Sequence, residues 1–407
     1  MKIIHTSDWH LGQELYSYDR TEEHISFLTQ LKDIVCSEMP DALIVSGDVY
    51  HIANPSNATM RIFTDYLDQI RRACPSMQII VTAGNHDSSA RLEVSRTLWS
   101  HLGVDIIGKI EKNEDEILFN RHIIPVTGPD GGVKGYVVAL PFVPQHGFPA
   151  IEPNSPREQR QSDFLAALSE CVEEVNTNRL PVVMMAHMAI SGSDITGHDQ
   201  IQGGMEYVDS SELKVDYDYL ALGHIHCPQV VSGKDDVTSV ARYCGSPIPV
   251  SFDENYVHSV TVVELESHGD QPNIRTIRIE NPWPLKTIPA EAVDLDLALK
   301  TLEEMPADKQ CYVRLHVKLT DIPPQNAMER ASNAVSGKKC RFCCFKWDRT
   351  EQESRERKSF ADVDQLKAQS PLDIADLYYT NKFGQPLDDE LKGMLDLVIR
   401  EVERKTN

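Results

Sequence analysis

The stretch GNHD, residues 84–87, comes shortly after the apolar segment QIIV, residues 78–81, which is typical of a buried strand. A turn would account for Gly84 and Asn85, because both residues tolerate the unusual dihedral angles of a tight connection. A turn does not require His86, and it does not explain why an amide, an imidazole and a carboxylate follow one another after a core strand. The meaning of the stretch therefore depends on whether other strands end in the same way.

Four other apolar segments end in a similar cluster of polar residues. The clusters are Ser7-Asp8-Trp9-His10 after residues 3–5, Ser46-Gly47-Asp48 with His51 after residues 42–45, Ala186-His187 after residues 182–185, and Gly223-His224-Ile225-His226 after residues 219–222. In an open α/β sheet, the loops at the carboxyl ends of the strands converge on one crevice. We therefore expect seven side chains to lie together: Asp8, His10, Asp48, Asn85, His187, His224 and His226.

Each of these residues, taken alone, has an ordinary structural explanation. A single histidine after a strand is more often a surface or capping residue than a ligand, and Asp48 after Gly47 would commonly cap a turn or a helix. The combination is different, because burying so many ionisable side chains together without cations would be costly. The pattern therefore indicates a metal centre.

The bulk composition is that of a globular protein with more than one domain. The chain has 407 residues, 41% hydrophobic and 25% charged, with a formal net charge of −22. The acidic balance argues against a protein that coats nucleic acid by long-range attraction, although bound cations can neutralise a local site. The nine cysteines show no disulfide-like spacing, which is typical of a reducing cytoplasm. The sequence shows no apolar run long enough to span a membrane and no signal peptide, so we predict a cytoplasmic protein without a membrane segment.

The order of apolar patterns predicts an α/β architecture in three parts. In residues 1–281, strand patterns alternate with helix patterns, and this alternation predicts a layered β-sandwich flanked by helices. The helices are predicted at 22–39, from Pro55 onwards, at 91–102 and at 157–176. Residues 282–350 predict a small α+β capping domain, in which the cysteines of 340–344 belong to a strand and not to a zinc site. Residues 351–407 predict a charged linker and helices whose apolar stripe contains Leu391, Leu395, Val398 and Val402.

Over about residues 1–252, the chain resembles the calcineurin-like metallophosphoesterases. The resemblance rests on the motifs Asp-x-His, Gly-Asp, Gly-Asn-His-Asp, His and Gly-His-x-His, in this order. Two longer stretches, HTSDWHLG at 5–12 and RYCGSPIPVSF at 242–252, resemble the SbcD family of nuclease subunits within that group. The resemblance implies a two-metal phosphodiester hydrolase. None of the metal-binding positions of the family pattern is missing in this chain.

The resemblance also implies a role for each residue of the pattern. Asp8, His10 and His226 would complete the first metal site, and Asn85, His187 and His224 the second. Because two close cations need a shared anionic ligand, Asp48 is expected to bridge them. Oxygen and imidazole ligands suit manganese. His86 is expected to act in catalysis, His51 is a candidate for contact with the phosphate, and Asp87 is expected to orient a ligand.

By the same resemblance, the function is expected to be 3′-to-5′ exonuclease action on duplex DNA ends and endonuclease action on single strands and hairpins, with an ATPase partner, SbcC. Two alternatives stay open: a small-molecule phosphodiesterase of the same superfamily, and a scaffold subunit with secondary nuclease activity.

A basic strip at 338–358 could contact DNA, and the tail could bind the ATPase. A homodimer within a heterotetramer is expected, with the stripe Met60, Phe63 and Leu67 either at its interface or packed inward on the sheet.

Overall fold

A computed structural model describes residues 1–349 except 114–115, 145–146, 153–154, 198–206, 210–212, 214, 232–238 and 320–323, and beyond them only short stretches between 372 and 395. The predicted linker and most of the predicted tail helices, including Val398 and Val402, therefore lie outside the described residues. Residues 391–395, within the predicted tail stripe, are helical. Among the described residues, no helix has the length and hydrophobicity that a membrane span requires.

The strands have these bounds in chain order: β1 Lys2–Thr6, β2 Glu14–Leu15, β3 Tyr18–Asp19, β4 Ala42–Ser46, β5 Gln78–Thr82, β6 Val104–Ile107, β7 Lys112–Asn113, β8 Glu116–Ile117, β9 Ile123–Thr127, β10 Val133–Ala139, β11 Val182–His187, β12 Ala189–Ile190, β13 Tyr207–Val208, β14 Tyr219–Gly223, β15 Gln229–Val231, β16 Val240–Tyr243, β17 Ser259–Glu264, β18 Asn273–Arg278, β19 Leu285–Val293, β20 Tyr312–Leu319 and β21 Arg341–Arg349. The α-helices are α1 Thr21–Glu38, α2 Asn57–Ala73, α3 Ser89–Leu92, α4 Arg96–Ser100, α5 Arg160–Val175, α6 Leu295–Glu303 and α7 Ala327–Ala334.

Two six-stranded sheets face each other and form the predicted sandwich. One sheet has the order β18-β17-β1-β4-β5-β6, and the other has the order β15-β16-β14-β11-β10-β9. In the first, β1, β4, β5 and β6 are parallel, and in the second β10, β11, β14 and β16 are parallel. The layer between the sheets is apolar and includes Ile3, Ile44, Ile80, Val137, Val183, Met185 and Ala221.

Helices cover the outer face of each sheet. Helices α1 and α2 pack on the first sheet and α5 packs on the second, each through its apolar side. Helix α2 begins at Asn57, because the hydroxyl of Ser56 accepts a hydrogen bond from Thr59 N at 3.1 Å and caps it, so Pro55 precedes the helix and does not lie in its first turn. Phe63 and Leu67 are 3% and 0% exposed in the core. The sequence left two alternatives for the stripe of α2, a dimer interface or packing on the sheet, and the structure shows packing on the sheet.

The predicted helix at 91–102 is wrong as a single element. The chain forms the short helices α3 and α4, separated by a turn at 93–95. Ser95 has φ −106° and ψ 19°, outside the helical range, and interrupts the helical dihedrals there. This break leaves large apolar side chains between Val94 and Leu102 on the surface.

A third sheet, with the order β19-β20-β21, forms the small α+β unit. Helices α6 and α7 cover one face of it, and Cys340 is 3% exposed within the resulting core. Cys343 packs with Trp283 and Tyr312 against Leu15 and Phe252, which belong to the part of the chain that forms the sandwich, residues 1–281. All nine cysteines are free, and Cys343 and Cys344 lie in β21, as the strand predicted at 340–344 requires.

Candidate metal centre

The loops after β1, β4, β5, β11 and β14 meet at one edge of the sandwich and bring all seven predicted side chains together. Backbone hydrogen bonds join two of these loops, from Asp8 N to Gly47 O at 3.1 Å and from His10 N to Asp48 O at 3.0 Å. Asp8, His10, Asp48 and His224 have positive φ values of 53°, 44°, 49° and 99°. Such dihedrals are unfavourable for residues other than glycine and persist where the surrounding structure imposes them, commonly at functional sites.

Glycines allow the loops to approach this closely. A Cβ atom at Gly47, where φ is +83°, would lie 2.2 Å from His187 Nδ1, and one at Gly84 would lie 2.1 Å from Asp48 Oδ1. A Cβ atom at Gly223 would lie 1.9 Å from Ser46 O. Since real Cβ contacts are never so short, each of these positions requires glycine.

The crowding at Gly84 gives a first prediction. Gly84→Ala should lower the free energy of unfolding by about 1–3 kcal/mol, because the added methyl group must displace Asp48, whose position is fixed by backbone as well as side-chain contacts. Urea unfolding would measure the loss. Gly132→Ala is the matched control, since its Cβ would have its nearest contact at 3.5 Å and should be tolerated. Equal stability of the two variants would contradict the tight packing around Asp48.

Asp8, His10 and His226 form the first group of potential metal ligands. Their ligand atoms lie within 4.8 Å of one another, and all three residues are buried. The Nε2 atoms of His10 and His226 are 3.1 Å apart. Asp8 itself is held by His224 N, which donates to its Oδ1 at 3.0 Å, and by the hydroxyl of Ser7, which donates to its Oδ2.

Asn85, His187 and His224 form the second group. The amide oxygen of Asn85 lies 3.0 Å from His187 Nε2 and 3.0 Å from His224 Nδ1. Asp48 lies between the two groups, with its Oδ2 3.4 Å from His187 Nε2 and 3.8 Å from His10 Nε2. Asp48, the carboxylate that was expected to bridge two cations, therefore lies close to a histidine of each group.

Hydrogen bonds fix the orientation of the imidazole rings. Nδ1 of His187 donates to Ser46 O at 2.9 Å, and Nδ1 of His226 faces Glu254 Oε1 at 3.1 Å. When Nδ1 carries the proton, Nε2 keeps its lone pair directed at the centre of the site, which is the form that binds a metal ion. The donor set of carboxylate, amide and imidazole atoms thus fits divalent cations.

The electrostatics of the site depend on burial and on the close carboxylate–imidazole contacts. Burial alone would raise the pKa of Asp48, but the charge and hydrogen bond of His187, with His10 and His86, hold that pKa well below its ordinary value. The same contact with Asp48 overcomes the burial of His187 and raises the pKa of His187 to about 9. Burial raises the pKa of Asp8 and lowers the pKa of His10. The site therefore concentrates negative charge on Asp48.

His86 and His51 lie at the open side of the site. The Nε2 atom of His86 is 4.0 Å from Asp48 Oδ2, and its side chain is 39% exposed. Nδ1 of His86 donates to the backbone oxygen of His51 at 2.8 Å, and the two rings stack with centroids 5.7 Å apart. Both residues therefore face solvent and the site at once, whereas the ligand candidates other than Asn85 are buried.

Asp87 holds backbone groups of the site loops. Its carboxylate accepts hydrogen bonds from the backbone nitrogens of Val49, Tyr50 and Gly84 at 3.1, 2.9 and 2.9 Å. These nitrogens flank Asp48 and Asn85 in the chain. Asp87 is therefore hydrogen-bonded to the backbone of the loops that carry two ligand candidates.

Glu254 is a residue of the site that the sequence patterns did not identify. It is buried and contacts His226, but it lies 28 residues further along the chain and does not follow a strand of the sandwich. The stretch at 242–252 was the available indication, because it ends two residues before Glu254.

Comparisons with known proteins agree with this geometry. The model of the calcineurin-like phosphoesterase family matches residues 1–228, more than half of the chain, and a model described as type 5 capsule protein repressor C-terminal domain matches residues 281–383. The SbcD subunit of the nuclease SbcCD from Rhodobacter capsulatus is 34% identical over 301 residues, which cover 72% of each chain. The corresponding subunits from Escherichia coli K12 and Bacillus subtilis are each 27% identical, over 331 residues (78% of each chain) and 344 residues (83% of this chain and 84% of the relative).

The fold, the grouping of the polar side chains at the ends of five strands and these similarities agree with one another. The chain belongs to the calcineurin-like phosphoesterase family and, within it, to the SbcD family, the D-type subunits of the nuclease SbcCD.

Proposed function

We propose that the chain is a manganese-dependent DNA nuclease subunit that hydrolyses phosphodiester bonds at a centre of two cations. The observation that carries the proposal is the position of Asp48, whose carboxylate faces His10 of one ligand group and His187 of the other. Asp8, His10 and His226 would hold one cation, and Asn85, His187 and His224 the other. Manganese is favoured because the ligand candidates are oxygen and imidazole atoms.

Among the described residues, no cysteine belongs to the groups that could hold a metal ion. Cys244 is a buried thiol beside the site, with Sγ 3.1 Å from the hydroxyl of Ser7. Burial raises the pKa of the Cys244 thiol well above its ordinary value, so the thiol stays protonated. The candidate groups among the described residues therefore offer oxygen and nitrogen atoms as ligands.

When bound, two cations about 3.5–4 Å apart would activate a water molecule and stabilise charge on the phosphoryl oxygens. The protein contributes the proton for the leaving oxygen. His86 is suited to this role, because its Nδ1 is fixed by the His51 backbone oxygen while its Nε2 faces the site. His51, stacked on His86 at the open side, is placed to contact the phosphate from the same direction.

The test of this function is a comparison of substrates in the presence of Mn²⁺. The protein should degrade end-labelled duplex DNA from the 3′ end and cut single-stranded and hairpin DNA, and a chelator should abolish both activities. A nitrophenyl phosphodiester is the reference substrate. Strong turnover of this ester with no cleavage of any DNA would contradict the nuclease and favour a small-molecule phosphodiesterase.

We also propose a homodimer, with an interface other than the α2 stripe. Val94, Leu98 and Leu102 are 80%, 70% and 48% exposed, and they lie in one short segment after β5. A monomer would leave these large apolar side chains in water, whereas the same segment of a second copy could cover them.

Leu98→Glu should therefore shift the protein from dimer to monomer at micromolar concentration, because two charges would be buried at the symmetric contact. Sedimentation equilibrium would measure the change. Met328→Glu on α7, where Met328 is 53% exposed in the small unit, is the matched control and should stay dimeric. A monomeric wild-type protein, or an unchanged dimer of the Leu98 variant, would contradict this interface.

The remaining parts of the chain would connect the nuclease to DNA and to its partner. We propose that 1–281 is the nuclease domain, 282–350 a capping and DNA-contact domain, and 351–407 a linker and helical segment that binds an SbcC-type ATPase. The free cysteines are compatible with a cytoplasmic protein. The names of the relatives support the ATPase, since they are subunits of a nuclease SbcCD.

Part of the proposed basic strip is engaged within the small unit. Lys338 donates to the backbone oxygens of Leu302 and Met305 at 3.0 and 3.1 Å, at the end of α6. The guanidinium of Arg341 lies 3.7 Å from the ring centroid of Trp283. Of the basic side chains in this strip that the structure describes, Lys339 and Lys346 are exposed and are the candidates for contact with DNA.

A further inference from the structure

Glu254 is a buried carboxylate that none of the proposed ligand sets uses. Its side chain is 0% exposed, and both of its oxygens have partners. Oε1 lies 3.1 Å from His226 Nδ1, and Oε2 accepts a hydrogen bond from the hydroxyl of Ser246 at 3.0 Å. A buried carboxylate held at both oxygens has a fixed position, and so it can fix the position of the imidazole that it contacts.

The contact determines which nitrogen of His226 faces the ligand group. A carboxylate is an acceptor only, so Nδ1 of His226 carries the proton and donates it to Glu254. Nε2 then keeps its lone pair, and it points to His10 Nε2, which is 3.1 Å away. Without the carboxylate, the ring could adopt the other tautomer or rotate, and the lone pair would leave the site.

The surroundings hold the two residues at this distance. Ser246 contacts both residues of the pair. Its backbone nitrogen donates to the backbone oxygen of His226 at 3.2 Å, and its hydroxyl donates to Glu254, as described above. A Cβ atom at Gly245 would lie 2.3 Å from His226 O, and one at Gly197 would lie 2.7 Å from Glu254 Cγ. The chain therefore packs closely around the His226–Glu254 pair on both sides.

We propose that Glu254 is a positioning residue that orients His226 towards the cation held with Asp8 and His10. This inference rests on the proposed two-cation centre and adds a residue to it. Carboxylates behind metal-binding histidines commonly contribute about 10- to 100-fold to metal affinity. The effect should be confined to one of the two cation sites, because the ring of His187 in the other group is oriented by a different acceptor, Ser46 O.

The test is calorimetric titration of the metal-free full-length protein with MnCl₂. The wild type should show two binding events, and His10→Ala should identify the one that belongs to the Asp8 group. Glu254→Gln keeps the size of the side chain and removes its charge, and it should weaken that event at least about 10-fold while leaving the other within about twofold. Asp253→Asn is the matched control, since Asp253 is the neighbouring carboxylate but points to Arg314 at 2.8 Å with a side chain that is 59% exposed.

Ser246→Ala provides a second variant if Glu254→Gln does not fold. It removes the hydrogen bond from Ser246 to Glu254 and should weaken the same event by a smaller factor. Two events in the wild type and unchanged affinity in both variants would overturn the role of Glu254 alone. A wild type that binds no Mn²⁺ would overturn the metal centre and the role of Glu254 with it. Equal weakening of both events would also contradict the proposal, because it would indicate a general structural role.

Discussion

Asp48→Ala is expected to abolish the binding of both cations and to reduce DNA cleavage at least about 10³-fold, since metal-ion catalysis contributes several kcal/mol and about 1.4 kcal/mol corresponds to a factor of ten. The reason is the central position of the carboxylate, which faces both His10 and His187. Two cations at close range repel each other, and an anion between them offsets that repulsion. Removing a ligand that served only one site would leave the other cation in place.

The measurement is calorimetric titration with Mn²⁺ beside an assay on labelled duplex DNA. Asp68→Asn is a suitable control, because Asp68 is an acidic residue of α2 that pairs with Arg72 at 2.9 Å, on the helix surface. The control should bind two Mn²⁺ ions and keep its activity. Retention of one tightly bound ion in the Asp48 variant would show that the carboxylate does not serve both sites.

His86→Leu is expected to have the opposite pattern: both cations stay bound, and cleavage falls by about 10²- to 10⁴-fold, the usual contribution of a general acid or base. His86 is partly exposed, its Nδ1 is engaged with the His51 backbone oxygen, and the ring lies outside the two ligand groups proposed above. Its Nε2 nevertheless faces the site, where a leaving oxygen would need a proton.

Titration with Mn²⁺ and single-turnover cleavage of labelled DNA separate the two effects. His101→Leu is the matched control, because His101 is an exposed histidine that follows α4 and has no part in the proposed mechanism. It should match the wild type in both measurements. Loss of Mn²⁺ binding in the His86 variant would contradict the assignment of His86 to proton transfer.

The sandwich and the convergence of its polar loops could be predicted because both depend on local patterns. Each cluster lies directly after an apolar strand, and parallel strands bring their carboxyl ends to the same edge of a sheet. The positions of Asp48 and His187 follow from this rule alone. The assignment of individual roles to these residues stays a prediction until the metal ions are observed.

Glu254 shows why the rest of the site could not be predicted. Its contact with His226 depends on a loop conformation in which Ser246 and Gly245 also take part, and no periodic pattern places that loop. The stripe of α2 is a related case. Periodicity identifies one face of a helix, but only the packing of the whole domain determines that Phe63 and Leu67 face the sheet.

The same limit applies to the surface of the molecule. A helical pattern at 91–102 gave no indication that the chain would break near Ser95 and leave Leu98 exposed. A count of basic residues likewise did not show that Lys338 would bind the carbonyl groups at the end of α6. Both outcomes depend on contacts between segments that are distant in the sequence.

The most direct test of the two-cation centre is anomalous diffraction at the manganese absorption edge from crystals grown with MnCl₂. We expect two peaks about 3.5–4 Å apart, with a carboxylate oxygen of Asp48 bound to each. Asp8, His10 and His226 should bind one peak, and Asn85, His187 and His224 the other. A single peak, or two peaks of which only one contacts Asp48, would contradict the account.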